Sequence, residues 1–313
     1  MNQWSFFMKI QNVEAIGGIM NSLITKAYAK INLGLDVLRR REDGYHDLRM
    51  IMQSVDLYDL ITIVKSPTRS IHVESNLPYL PVDGRNIVYR AAQMFRDRFK
   101  LREGVNITLE KNIPVAAGLA GGSSDAAATL CALNKIYQIG LSTADLMKMG
   151  VKLGADVPYC IMMGTALSEG IGEILTPLNP MPDCDILLVK PDVSVSTKYV
   201  YTNLKLTPYM KHPDITSMRK AIEKGNLQEL TKHMDNMLET VTIAKYPIIS
   251  QIKQRMCELG ALTALMSGSG PTVFGIYANP SLAQDAYEHF KKSDFGRQVF
   301  LVKPFTPEER IDE

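Results

Sequence analysis

One stretch confines this chain more than any other: Ile113-Pro114-Val115-Ala116-Ala117-Gly118-Leu119-Ala120-Gly121-Gly122-Ser123-Ser124-Asp125, followed by three alanines. A strand-like run breaks into glycines, then two hydroxyls, then an alanine-rich helix start. Glycines let the main chain come close to oxygens, and the free N–H groups of a helix start attract anions. As plain structure, Gly118, Gly121 and Gly122 make a tight turn, but a turn alone does not need three glycines plus Ser-Ser at a helix start. As a site, the segment is a backbone cradle for phosphate, with the hydroxyl of Ser123 or Ser124 offered to phosphate or to Mg²⁺. Neither G-x-x-x-x-G-K-[ST] nor G-x-G-x-x-G is present.

A chain of 313 residues, 46% hydrophobic, can bury one large core or two smaller ones. Net charge is +2, from 35 basic and 33 acidic residues, which gives no electrostatic reason to expect nucleic-acid or membrane binding. Cys131, Cys160, Cys184 and Cys257 are widely spaced with no C-x-x-C pair, so free thiols in a reducing, cytoplasmic setting are expected. No apolar run is long enough to span a bilayer. Near the start, Trp4, Phe6 and Phe7 are apolar, but a proper signal-peptide pattern is missing. The strong patterning begins after Met20, and Gly17-Gly18 fits a translated ribosome-binding sequence. Residues 1–19 are therefore expected to be a non-native or disordered extension, with Met20 as the true start.

From Ala27 to Val37 alternate residues are apolar, which predicts a half-buried strand with Lys30 and Asn32 side by side on its exposed face. A charged turn with Asp43-Gly44 at its tip follows. Further strands are expected at 60–64, 70–74 and 105–109, and helices at 86–99, 123–137 and 141–152. After the prolines at 177, 180 and 182 come a strand at 184–190 and helices at 213–225, 227–238 and 247–259. The last third reads as strand 261–266, loop 267–271, strand 272–278, helix 281–292 and strand 298–302. The pattern predicts an α+β sandwich.

Four more segments carry chemistry. Asp156, in Leu153-Gly154-Ala155-Asp156-Val157-Pro158, either satisfies loop amides or, set among small and apolar neighbours, serves a reaction. Lys30 with Asn32 is either solvated or meets an anion and a substrate hydroxyl. Ser267-Gly268-Ser269-Gly270-Pro271 is either a hairpin turn or a second glycine loop closing on the site. Asp43-Gly44-Tyr45-His46 offers Tyr45 as a flat face for a ring beside His46.

Together these five segments resemble the GHMP small-molecule kinases, in the family's order and over about residues 23–301. Arg41-Glu42-Asp43-Gly44-Tyr45-His46 and Leu153–Pro158 are closest to a member whose acceptor carries a cytidine diphosphate. The resemblance implies a two-domain α+β fold with its active site in the cleft, an ATP-binding domain at 20–179 and a substrate-side domain at 180–313. It implies ATP and Mg²⁺ as cofactors, a small-molecule cytidine diphosphate substrate, and a monomer or weak homodimer. Asp156 matches the general base and Lys30 its cationic neighbour, both catalytic. Pro114, Ala117, Gly118, Leu119, Ala120, Gly121, Gly122, Ser123 and Ser124 match the ATP-binding loop. Asn32, Tyr45, His46, Thr197, Tyr201, Gly268, Ser269 and Gly270 match the acceptor side, with Tyr45 and His46 holding the base and Tyr201 closing on it from the other side. Where other members carry more glycine, this loop has Ala116-Ala117, so its retained glycines are expected nearest the phosphate. Asp125, beside the serines, either touches Mg²⁺ or serves the helix N-terminus, and the helix role is the favoured expectation.

Overall fold

The computed structural model describes residues 15–16, 19–207 and 209–307. Of the expected 1–19 extension, only the backbone of β1 (Ala15–Ile16) and of Ile19 is described, paired with β2 (Ile19–Met20). The remainder of that expectation lies outside the described residues.

Two long strands, β3 (Ser22–Arg40) and β4 (His46–Ser66), form an antiparallel hairpin. The charged turn joins them: the Arg41 N–H donates to Tyr45 O at 2.8 Å, and Gly44 sits at φ +86°. There follow β5 (Ile71–Ser75), α1 (Ile87–Phe99), β6 (Gly104–Glu110), α2 (Gly121–Ile136), α3 (Thr143–Gly150), α4 (Val157–Met162), β7 (Thr165–Gly170) and β8 (Ile174–Pro177). The first sheet runs β5-β6-β4-β7-β8, with β3 also paired to β4. The second half contributes β9 (Asp185–Lys190), α5 (Thr197–Asn203), α6 (Ile215–Glu223), α7 (Leu227–His233), α8 (Glu239–Lys245), α9 (Ile248–Glu258), β10 (Thr263–Met266), β11 (Val273–Tyr277), α10 (Pro280–Lys292) and β12 (Gln298–Val302). Its sheet runs β10-β11-β9-β12, antiparallel throughout. The fold is α+β.

The apolar alternation of β3 serves two cores rather than one. Leu23 and Ala27 join the core beneath α1 and α2, Ala29, Ile31 and Leu33 join the core against the second sheet, and Leu35 and Val37 return to the first. Register shifts at Tyr28/Ala29 and Asn32/Gly34 mark the exchanges. At Asn32/Gly34 the extra residue is on β3 and, since side chains alternate with a period of two, sends every later one to the opposite face, whereas at Tyr28/Ala29 two extra residues, Asp56 and Leu57, lie on β4. This corrects the exposed face expected for Lys30 and Asn32. Both are buried, at 4% and 1% exposure, because the strand is covered on both sides.

The end of the chain crosses back to the first sheet. The Phe305 N–H donates to Ser54 O at 2.8 Å, the Asp56 N–H donates to Lys303 O at 2.9 Å, and the Phe305 ring stacks on Tyr28. Among the described residues, no helix is long and apolar enough to cross a membrane.

Candidate active site

The glycine loop takes a shape that alternation explains. Ala116, Gly118 and Ala120, every second residue, have φ of +52°, +76° and +57°. Left-handed residues spaced this way turn backbone N–H groups to one side, into an anion-binding concavity. Ala120 is also the N-cap of α2 and makes no side-chain cap bond, so the first amides of a 16-residue helix are left open to a ligand. Of the three retained glycines only Gly118 takes this left-handed conformation, and two alanines share it. Gly121 and Gly122 are not left-handed, and Gly121 is needed for space, since a Cβ there would meet Ile113 at 3.0 Å.

The second glycine loop seats on the first. Ser267 Oγ donates to Gly118 O at 2.9 Å, and a Cβ on Gly118 would lie 2.2 Å from Ser267 O. Gly118→Ala combines that clash with a left-handed alanine, which by itself costs about 1–2 kcal/mol. Thermal unfolding and nucleotide titration are expected to show a lower Tm and at least tenfold weaker ATP binding, on the order of the 1.4 kcal/mol that a decade represents. Wild-type values in both would mean that the loops do not meet. Asn236 holds the second loop from behind, donating to Met266 O at 2.7 Å and Gly268 O at 2.8 Å. Sequence reasoning missed it, because a helix was expected through to residue 238 and α7 ends at His233.

Lys30 and Asp156 converge from distant elements. Lys30 Nζ donates to Asn32 Oδ1 at 2.6 Å and lies 3.9 Å from Asp156 Oδ2. Asp156 is the N-cap of α4 yet caps nothing with its side chain. By contrast Asn86, Ser142, Ser196, Asp214, Asn226 and Asn279 all accept from their own helices. The Asp156 carboxylate is thereby left free for the cavity, which it lines with Lys30 and Asn32.

Ser123 lines the same cavity, whereas the Ser124 hydroxyl is turned inward, donating to Tyr28 O at 2.6 Å. Leu119 and Gly270 are set behind the wall. Leu119 O accepts from the Lys30 N–H at 3.1 Å, and the Gly270 N–H donates to Ser267 O at 2.9 Å. Pro114, Ala117, Gly118, Ala120, Gly121, Gly122, Gly268 and Ser269 all line the cavity.

Asp125 does not serve the helix N-terminus. It is the fifth residue of α2, past the first turn, and its Oδ2 accepts from Lys111 Nζ at 2.6 Å. Lys111, itself buried, also donates to Asp59, whose other oxygen takes the N–H groups of Asn112 and Ile113 at 2.5 and 2.8 Å. Sequence patterning gave no pointer to Lys111 or Asp59, since each partner lies on a different element. Burial, and then the nearby Asp59, push the Asp125 carboxyl up to about 7 against the pull of Lys111. A folded-state value raised this way gives stability that is present below the unfolded value near 3.8 and lost as pH rises towards 7. Asp125→Asn is expected to flatten the pH dependence of unfolding free energy between about pH 4 and 7. An unchanged slope in denaturant melts across that range would exclude the assignment.

At the far end of the cavity, the His46 and Tyr201 rings are 5.2 Å apart and tilted by 32°. They touch directly, so no base fits between these two. Burial, then the Arg40 charge, lowers the His46 pKa, favouring the neutral ring. Tyr45 is 59% exposed at the mouth. Thr197 Oγ1 and Ser269 Oγ are 2.8 Å apart, tying α5 to the second glycine loop.

An open helix start sealed by a second glycine loop, with a carboxylate free of capping duty beside a buried lysine, is an arrangement suited to phosphoryl transfer, and the family follows. Residues 86–164 match the GHMP kinases N terminal domain and residues 218–295 the GHMP kinases C terminal region. The chain belongs to the GHMP kinases. A Lachnoclostridium phytofermentans protein, 55% identical over 91% of this chain and 98% of its own length, is named 4-diphosphocytidyl-2-C-methyl-D-erythritol kinase. A crystal structure of 4-(cytidine 5'-diphospho)-2C-methyl-D-erythritol kinase superposes with a TM-score of 0.76 at 34% identity, covering 90% of this chain and all of that one. The homoserine kinase of Cytophaga hutchinsonii shares the fold, with a TM-score of 0.74 at 19% identity over 92% of this chain and 96% of that one.

Proposed function

We propose that this chain transfers the γ-phosphoryl group of ATP to the C2 hydroxyl of 4-diphosphocytidyl-2-C-methyl-D-erythritol, giving the 2-phosphate and ADP, in the non-mevalonate route to isoprenoid precursors. The observation that carries the reading is the Asp156 carboxylate 3.9 Å from buried Lys30, in the cavity that the open amides of α2 face. The names of close relatives supply the acceptor.

Phosphoryl transfer asks for positioning and charge stabilisation more than covalent chemistry. The loop and the α2 amides hold the triphosphate. Asp156 accepts the proton of the acceptor hydroxyl as its oxygen bonds to the γ-phosphorus and the bond to ADP breaks. Lys30 stays between carboxylate and phosphoryl group, held by Asn32, and offsets charge on the transferring oxygens. Among the described residues, no cluster of three or more His, Cys, Asp or Glu is placed to hold a metal. A Mg²⁺ keeps to phosphates and one or two protein oxygens, and Ser123 and Asp156, which line the cavity, would hold it. When bound, Mg²⁺ neutralises phosphate oxygens. At the nucleotide end, Leu80, Pro81, Ile87 and Leu109 give an apolar wall suited to adenine. Cytosine rests on the wall made by Tyr45, His46 and Tyr201.

The two sheets share no strand, which supports division into parts at 20–179 and 180–313. Four free cysteines agree with a cytoplasmic enzyme.

The test is a coupled ADP-release assay. ADP release with the cytidine acceptor and not with mevalonate or homoserine is expected; turnover of mevalonate or homoserine alone would overturn the reading. Tyr45→Ala is expected to raise KM for the cytidine acceptor about 5- to 100-fold, the equivalent of one stacked base. Its kcat should hold nearly constant, and an unchanged KM would remove Tyr45 from base binding.

A further inference from the structure

Five cations line the cavity: Lys30, Arg40, Arg85, Lys111 and Lys198. Three are engaged. Lys30 serves Asn32 and Asp156, Lys111 sits between Asp59 and Asp125, and Arg85 forks onto Asp83. The side chains of Arg40 and Lys198 have no ion pair or hydrogen bond among the described residues.

The chain arranges this pair rather than scattering it. Arg39, Arg40 and Arg41 are consecutive, and the outer two are consumed, Arg39 by Asp47 at 2.5 Å and Arg41 by Asp43 at 3.0 Å and Asp47 at 3.3 Å. Arg40 stands directly opposite His46 in the β3–β4 register. Lys198 lies three residues before Tyr201 on α5, which puts both on one side of that helix. The two free cations therefore flank the two rings in mutual contact, His46 and Tyr201. On the proposed reading of the acceptor, the group between base and reacting hydroxyl is a diphosphate. An anion drawn into a cavity needs opposite charge or donors to replace its water.

We infer that Arg40 and Lys198 bind the diphosphate bridge of the acceptor, fixing the span from the base at the His46–Tyr201 wall to the hydroxyl at Asp156. The inference rests on the cytidine diphosphate reading above. It makes recognition of the acceptor depend on its phosphates as well as on its base, and it keeps these two charges apart from the ATP loop.

The test compares CDP with cytidine by calorimetry, and acceptor turnover by steady-state kinetics, in wild type and in the Arg40→Gln/Lys198→Gln double variant. Wild type is expected to bind CDP about tenfold or more tightly than cytidine, and the double variant to bind the two about equally, as loss of charge-assisted hydrogen bonds requires. KM for the acceptor should rise by a similar factor, with kcat and KM for ATP within about twofold of wild type. The rise in acceptor KM with added salt should flatten. An unaltered melting temperature checks that the variant is folded, and Arg40→Lys in the Lys198 background should restore most of the CDP preference. Retained CDP preference in the double variant, or a rise in KM for ATP instead, overturns the inference while leaving the acceptor reading intact. Failure of wild type to bind either CDP or cytidine strikes the acceptor reading itself, and this inference falls with it.

Discussion

Asp156→Asn lowers kcat by about 10²- to 10⁴-fold, the contribution of a positioned general base, and leaves KM for ATP within about twofold. The size follows from what Asp156 is spared. Every capping Asn, Ser or Asp named above ties its side chain to its own helix, and Asp156 does not. A carboxylate at that place with no capping duty has its lone pairs available to an acceptor proton. The amide of asparagine keeps the size and removes the basicity, so folding and nucleotide binding are expected to survive. Lys30 lies 3.9 Å away and loses only a long-range partner, keeping its 2.6 Å bond to Asn32. Rapid-quench measurement of the chemical step reads the effect directly. A variant with near-normal turnover would take Asp156 out of the reaction and pass the role of base to another group.

Lys111→Met costs about 3–5 kcal/mol of unfolding free energy, the penalty for removing one partner of a buried ion pair. Lys111 is 4% exposed and faces both Asp59 and Asp125, which are buried as well. Methionine matches the stem of lysine, so cavity formation is a small part of the loss. Two carboxylates are left facing each other with no cation between them. One of them, Asp59, also fixes the N–H groups of Asn112 and Ile113 where the chain enters the glycine loop, so loosening it loosens the cradle. Urea denaturation should show a midpoint shift without a change in slope. Adding Asp125→Asn to the variant should recover part of the loss, because only one buried charge then remains. A loss below about 1 kcal/mol would assign the triad to solvent-screened pairing.

The parts of the fold legible in the sequence were those whose local pattern and tertiary role agree. The loop and α2 were placed by glycines followed by alanines, and β9 to β12 by apolar runs broken at Gly and Pro. Most of β4 was not legible. Gln53, Ser54 and Asp59 interrupt its alternation, yet all three are buried in the strand, satisfied by Phe305 O, by Tyr159 and by Lys111. Those partners lie on other elements, so no window of sequence contains the reason. The register shifts between β3 and β4 are hidden for a related cause, since an apolar alternation looks the same whichever core receives it. At the site, Lys30, Asp156 and the two loops were marked by motifs. The buried role of Asp125 was not, because a carboxylate near a helix start reads as a charge for the dipole until Lys111 is seen beside it.

The contact between Gly118 and Ser267 also has a temporal consequence. The two residues are 149 positions apart, and the carbonyl of one accepts from the side chain of the other. During synthesis the phosphate cradle leaves the ribosome long before the loop that seats on it. On the proposed reading, the loop that holds ATP is expected to lack its support in a nascent chain until residues 267–272 have emerged. Nucleotide capture is then expected late, and a chain that stops short in its second half is expected to lack the contact that seats the cradle.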